Sequence, residues 1–142
     1  MGDYASLRFR VKLTEEAHMA LVMAEKVYFQ QDLPNQVYFW EIVRGQGLKI
    51  PKEFIWNWRS GQIPYGGSVR EDWGDPRSDI EPATHRWNVV CATKDEKMAQ
   101  LFCEEVLPLL IAEPCTVDLW FELWSSPKLI EVSPHRSAHG GD

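Results

Sequence analysis

Residues 5–13 alternate: Ala5, Leu7, Phe9, Val11 and Leu13 are apolar, whereas Ser6, Arg8, Arg10 and Lys12 are polar. A period of two predicts a strand with one buried face and one wet face. Thr14 follows with a hydroxyl able to cap a helix, and Glu15 and Glu16 complement that helix's positive end. Ala17, Leu21, Ala24 and Tyr28 then recur near the helical period, with Ala20 and Val27 beside them. The helix is expected to end near Gln31, because Leu33 precedes Pro34 and that position disfavours the α region.

Val37 to Val43 is a β-branched and aromatic run that predicts a second strand, apolar enough to be covered on both faces. Gly45-Gln46-Gly47 is expected to stop it. Residues 45–85 hold six of the nine glycines and four of the nine prolines, so they read as an insertion. One short helix is expected from Pro51 to about Arg59, and the remainder as extended loop. Trp87 to Ala92 predicts a third strand. Thr93 and Glu96 have the spacing of a capping box before a helix that carries Met98, Leu101, Phe102, Val106 and Leu109. Pro108 should kink or end the regular part of that helix. Val117, Leu119, Phe121 and Leu123 alternate as a fourth strand, and Leu129 to Val132 can pair back as a fifth.

The order βαβ, insertion, βαβ and one more strand predicts an α+β fold. The specific expectation is a ferredoxin-like split βαβ sandwich, with a mainly antiparallel sheet, two helices on one face, and a Trp/Gly/Pro-rich insertion over about 45–85. Residues 1–133 form the expected domain and 134–142 a flexible C-terminal tail. The length of 142 residues suits one domain, and 44% hydrophobic residues suffice for a core.

Charge narrows the function classes. Lys and Arg total 15 against 21 Asp and Glu, a net charge of −6. That balance opposes phosphate-backbone binding, so no nucleic acid is expected. No apolar run approaches the roughly 20 residues of a bilayer span, and no membrane is expected as partner. The start of the chain has no basic region followed by an apolar stretch, so no signal peptide is read and a cytoplasmic location is expected. Cys91, Cys103 and Cys115 form no CxxC pair and read as small buried thiols. His135 and His139 lie four apart among Gly and Pro, which is poor ground for a helical metal pair; no metal and no cofactor are expected.

The fourth strand draws most notice. Its even positions, Asp118, Trp120, Glu122 and Trp124, set two indoles between two carboxylates on a face marked as polar. Exposed tryptophan on a sheet calls for an apolar partner. That partner is either the insertion folded back, with Trp56, Trp58 and Trp73, or another molecule. Tyr65, Gly66, Gly67 and Arg70 could hold an anion, or form a solvated turn whose glycines supply positive φ. His85, near Asp79 and Glu81, is the one histidine considered as an acid or base. GxSxG, HExxH, P-loop and EF-hand patterns are absent.

The leading expectation is a small acidic protein-interaction module, of inhibitor or immunity/antitoxin type, binding a basic protein through its Trp-rich sheet face and the insertion. A homodimer stays open. The alternative is a small-ligand binder or enzyme with a cleft between sheet and insertion, where His85, Glu41, Glu122 or Arg70 supply polar contacts. Everything rests on Trp120 and Trp124 projecting away from the helices.

Overall fold

The computed structural model describes residues 4–30, 38–67, 70–121 and 126–135. The fold is α+β, built on a five-stranded sheet in the order β2-β3-β1-β4-β5, with every neighbouring pair antiparallel. The strands are β1 (Ala5–Lys12), β2 (Arg77–Ile80), β3 (Arg86–Thr93), β4 (Cys115–Phe121) and β5 (Lys128–Val132). The helices are α1 (Glu15–Gln30), α2 (Phe39–Gly45), α3 (Lys52–Ile55), α4 (Gln62–Tyr65) and α5 (Glu96–Leu101).

The alternation in β1 works as expected. Leu7, Phe9 and Val11 are buried, while Arg8, Arg10 and Lys12 are exposed. Register then carries the same division across the sheet. Leu7 lies opposite Cys91 and Leu119, and Phe9 opposite Val89, so these side chains form one apolar face. Ala17, Leu21 and Ala24 of α1 belong to the same core. Thr14 caps α1 as predicted: its hydroxyl accepts from the Ala17 N–H at 3.1 Å.

Of the strand expected at Val37–Val43, Phe39 to Val43 form a helix instead, with Tyr38 as its N-cap, and Val37 lies outside the described residues. Phe39, Trp40 and Val43 of α2 are buried at positions i, i+1 and i+4, with Glu41 on the exposed side. A short apolar run has no decisive period, and tertiary packing chooses between the two forms. Here Trp40 lies against Phe54, Trp87 and Phe102, and its indole N–H donates to the Ile63 carbonyl at 2.6 Å. Only a helix turns Phe39, Trp40 and Val43 toward one side. Gly45-Gln46-Gly47 therefore ends a helix, and Gly47 takes the positive φ of 107° that follows it.

The insertion is more ordered than a loop. It contains α3, a 3₁₀ turn at Trp58–Gly61, α4, a second 3₁₀ turn at Glu71–Trp73, and β2. The expected helix from Pro51 to Arg59 is thus two short pieces. The capping box is also corrected. Asp95 caps α5, accepting from the N–H groups of Lys97 and Met98, while the Thr93 hydroxyl donates to Gln62 Oε1 at 2.8 Å. Asp95 wins because its carboxylate reaches two free amides at once. After Leu101 the helix widens into a π turn over Phe102–Val106 and tightens into a 3₁₀ turn at Leu107–Leu109, so regularity ends before Pro108. Of the expected tail, Pro134 and His135 are described, and the His135 N–H donates to the Pro108 carbonyl at 2.8 Å. Residues 136–142 lie outside the described residues.

Candidate functional site

The face of the sheet away from the core is divided into a roofed end and an open end. Register places Ser6 between Ala92 and Trp120, and Arg8 between Val90 and Asp118. All six point away from the core face, yet Ser6, Val90 and Ala92 are buried. Among the described residues, the segment that reaches over this end is the insertion. The Arg70 guanidinium lies 3.3 Å from the centre of the Trp120 ring, and the Arg8 guanidinium lies 4.8 Å from that of the buried Trp73. Each cation faces an aromatic quadrupole, and each aromatic is desolvated by the other segment. The sequence expectation that Trp120 projects away from the helices therefore holds. Its neighbour Trp124, and Glu122 between them, lie outside the described residues.

Gly66 fastens the roof. Its carbonyl accepts from the Ala92 N–H at 3.1 Å, and the backbones pass so closely that a Cβ on Gly66 would stand 1.8 Å from the Ala92 oxygen. The glycine is needed for approach, not for positive φ: Gly66 is extended at φ −71°, ψ 142°. The positive-φ reading of the Gly66-Gly67 turn is corrected accordingly. Asp72 takes the near charge of Arg70, with Nη2 donating to Oδ2 at 3.0 Å. This hydrogen bond holds the Asp72 carboxyl below its usual range.

The open end is a groove of about 470 Å³ lined by Arg8, Arg10, Arg77, Asn88, Thr116 and Asp118, among others. Asp118 is neutralised by Arg8, whose Nε donates to its Oδ2 at 2.9 Å. Glu81 accepts from Asn88 at 2.7 Å and from Thr84 at 2.9 Å, with Arg10 3.4 Å away; these contacts lower its carboxyl. Arg77 is exposed on the groove wall and, among the described residues, has no ion pair. The polar positions of β1 announced Arg8 and Arg10, but Arg77 and Asn88 became groove residues only through the pairing of β2 with β3.

No family model, curated protein or solved structure matches the chain.

The remaining predicted site residues are dispersed. Trp56 ends α3 at 76% exposure, on the helical side where Phe54 packs against Trp40 and Phe102, so it does not roof the sheet. The Trp58 side chain lies outside the described residues. Tyr65 turns to α1: its hydroxyl donates to Glu25 at 3.0 Å and its ring stacks on Tyr28 at 5.3 Å. Burial and the Glu25 carboxylate push its phenol well above the ordinary value. His85 stands at the other end of β1, its carbonyl accepting from the Leu13 N–H. Seven strand positions separate Leu13 from Ser6, roughly 20 Å, so His85 and Trp120 share no site.

Sequence reasoning missed what His85 does touch. Its ring stacks on His18 with centroids 4.1 Å apart, and His85 holds a positive φ of 61°. Desolvation and the His85 charge lower the His18 pKa. The thiols match expectation more closely: Cys91 and Cys103 are buried, Cys115 is half-buried, and all are free. Burial pushes Cys103 up to about 12 and Cys115 up to about 11. Among the described residues no group of three His, Cys, Asp or Glu could hold a metal, and no helix is long and apolar enough to cross a membrane.

Proposed function

We propose that this protein is an interaction module that docks another protein on the face of the sheet away from the helices. One observation carries the reading: the Arg70–Trp120 and Arg8–Trp73 contacts build a fixed Arg–Trp wall beside an open polar groove. Trp and Arg are the residue types that dominate binding energy when a partner desolvates them further. The groove supplies a polar rim in which Arg77 offers a cation that, among the described residues, no carboxylate pairs. The net charge of −6 favours a basic target at long range, and an inhibitor or immunity-type role is the form this reading takes. Contact at the groove is then a matter of bidentate arginine pairing rather than of bulk charge.

We also read the architecture as a ferredoxin-like split βαβ sandwich extended by one strand. β1 and β2 run parallel with β3 between them, and β3 and β4 run parallel with β1 between them, which follows from the all-antiparallel order. A volume of about 470 Å³ is within the size of small-ligand sites, which supports ligand binding in the same groove as the second reading.

Affinity capture with the wild-type chain and with Arg77→Glu and Arg70→Ala variants tests the docking face. The reading expects a partner that the wild type retains and both variants lose, while a Trp56→Ala variant keeps it. A partner retained equally by all four chains, or none recovered by any of them, overturns it.

A further inference from the structure

Helix α1 carries a second apolar stripe that its own fold does not use. Ala17, Ala20, Leu21 and Ala24 face the core and are buried. On the other side Met19, Val22, Met23 and Val27 are exposed at 64, 42, 45 and 39%. At 100° per residue these positions form one continuous strip on the outer side of the helix. They are half of the large apolar side chains exposed among the described residues, so the surface apolarity of this acidic chain is concentrated on one element. Single exposed apolar residues need no explanation, but a contiguous strip on one helix marks a docking surface.

The charges flanking the strip identify what fits it. Glu15 and Glu16 stand at its amino end and Lys26 near its carboxyl end, all exposed. A second α1 laid parallel would set Glu15 and Glu16 against their own copies, and Lys26 against Lys26. Laid antiparallel about a two-fold axis between Val22 and Met23, the second helix brings Lys26 beside Met19 of its mate. The ammonium then lies within a turn of Glu15 and Glu16, and the lysine stem covers the methionine. Both ends of the strip are satisfied by one operation, as an isologous interface requires. We propose that two copies of this chain associate through an antiparallel α1–α1 contact centred on Val22 and Met23.

The strip from Met19 to Val27 is one helix wide and about 12 Å long at 1.5 Å per residue. It falls short of the roughly 1,200 Å² of a standard stable interface, so the dimer is a weak one that dissociates on dilution. This surface lies on the helical side of the sheet, and its use is independent of the groove on the other side.

Sedimentation equilibrium over low-micromolar to millimolar chain, at low salt, reads the association. The wild type is expected to pass from monomer to dimer mass across that range. Met23→Glu places two carboxylates at the two-fold axis and should leave a monomer at every concentration. Lys26→Glu should weaken association roughly three- to tenfold, and the triple variant Glu15→Lys/Glu16→Lys/Lys26→Glu should restore it, because the swap recreates both pairs. All these side chains are exposed, and an unchanged thermal unfolding midpoint checks that each variant folds. A wild-type chain that stays monomeric throughout overturns the proposal. So does a dimer indifferent to Met23→Glu, and so does a triple variant no stronger than Lys26→Glu.

Discussion

The Arg70 guanidinium sits 3.3 Å from the centre of the Trp120 ring, joining the insertion to β4 across the open side of the sheet. A cation at that distance is worth roughly 1–2 kcal/mol when its ring is partly desolvated. Arg70→Ala should therefore lower unfolding stability by about 1 kcal/mol and bare the indole to solvent. Acrylamide quenching of the total tryptophan emission should rise in Arg70→Ala and should not rise when the same change is made in a Trp120→Phe background. Equal quenching of wild type and Arg70→Ala would mean that the roof does not shield Trp120.

Gly66 provides a second handle on the same roof, through backbone rather than charge. A methyl group there would meet the Ala92 carbonyl oxygen at 1.8 Å and the Gln62 carbonyl oxygen at 2.7 Å, and neither is the movable end of a side chain. Gly66→Ala must push the insertion off β3, with an expected loss of about 2–3 kcal/mol in urea unfolding. Gly67→Ala is the matched control, since its added methyl finds only Pro76 Cγ at 4.0 Å. That variant should stay within about 0.5 kcal/mol of wild type, or gain slightly from a stiffer unfolded chain. Similar losses at both glycines would remove the distinction between close approach and general turn flexibility.

These contacts mark the boundary of what the sequence made legible. Alternation alone puts Arg8 of β1, and Asp118 and Trp120 of β4, on the outer face, because a strand's period of two leaves no other arrangement; that the two strands are neighbours comes from their pairing. The cap at Thr14 was legible for the same local reason. Phe39 to Gly45 was not: the run is apolar in both the strand and the helix reading, and the decision fell to Trp40 packing on Phe54 and Phe102. β2 was equally hidden. Arg77–Ile80 is short and polar, and it becomes a strand because β3 offers it an unpaired edge. The groove inherits that difficulty, since Arg77 reaches it only through this pairing. The roof was half legible. The tryptophans of the insertion signalled a cover for the sheet, but Trp73 alone among the described ones supplies it, and the cations that meet the rings came from Arg8 and Arg70.

The stacked pair of His18 and His85 makes stability depend on pH in a window set apart from the carboxylates. Their ring centroids are 4.1 Å apart, and the His18 pKa is lowered first by desolvation and then by the charge of His85. A histidine whose folded pKa lies below its unfolded value binds fewer protons when folded. Stability is then full above the ordinary value of 6.5 and declines as pH falls through it toward the lower folded value. Glu81 and Asp72 act in the same direction, but only below their ordinary values of 4.5 and 3.8, because their folded pKa values are depressed from there. Urea unfolding midpoints should therefore hold steady from pH 8 to about pH 7 and fall as pH drops below the ordinary histidine value of 6.5. In His18→Gln the imidazole with the lowered pKa is gone, and the midpoint should fall less steeply below pH 6.5 than in the wild type. A wild-type midpoint flat from pH 7 to 5.5, or an unchanged slope in His18→Gln, would assign the pair no part in acid sensitivity.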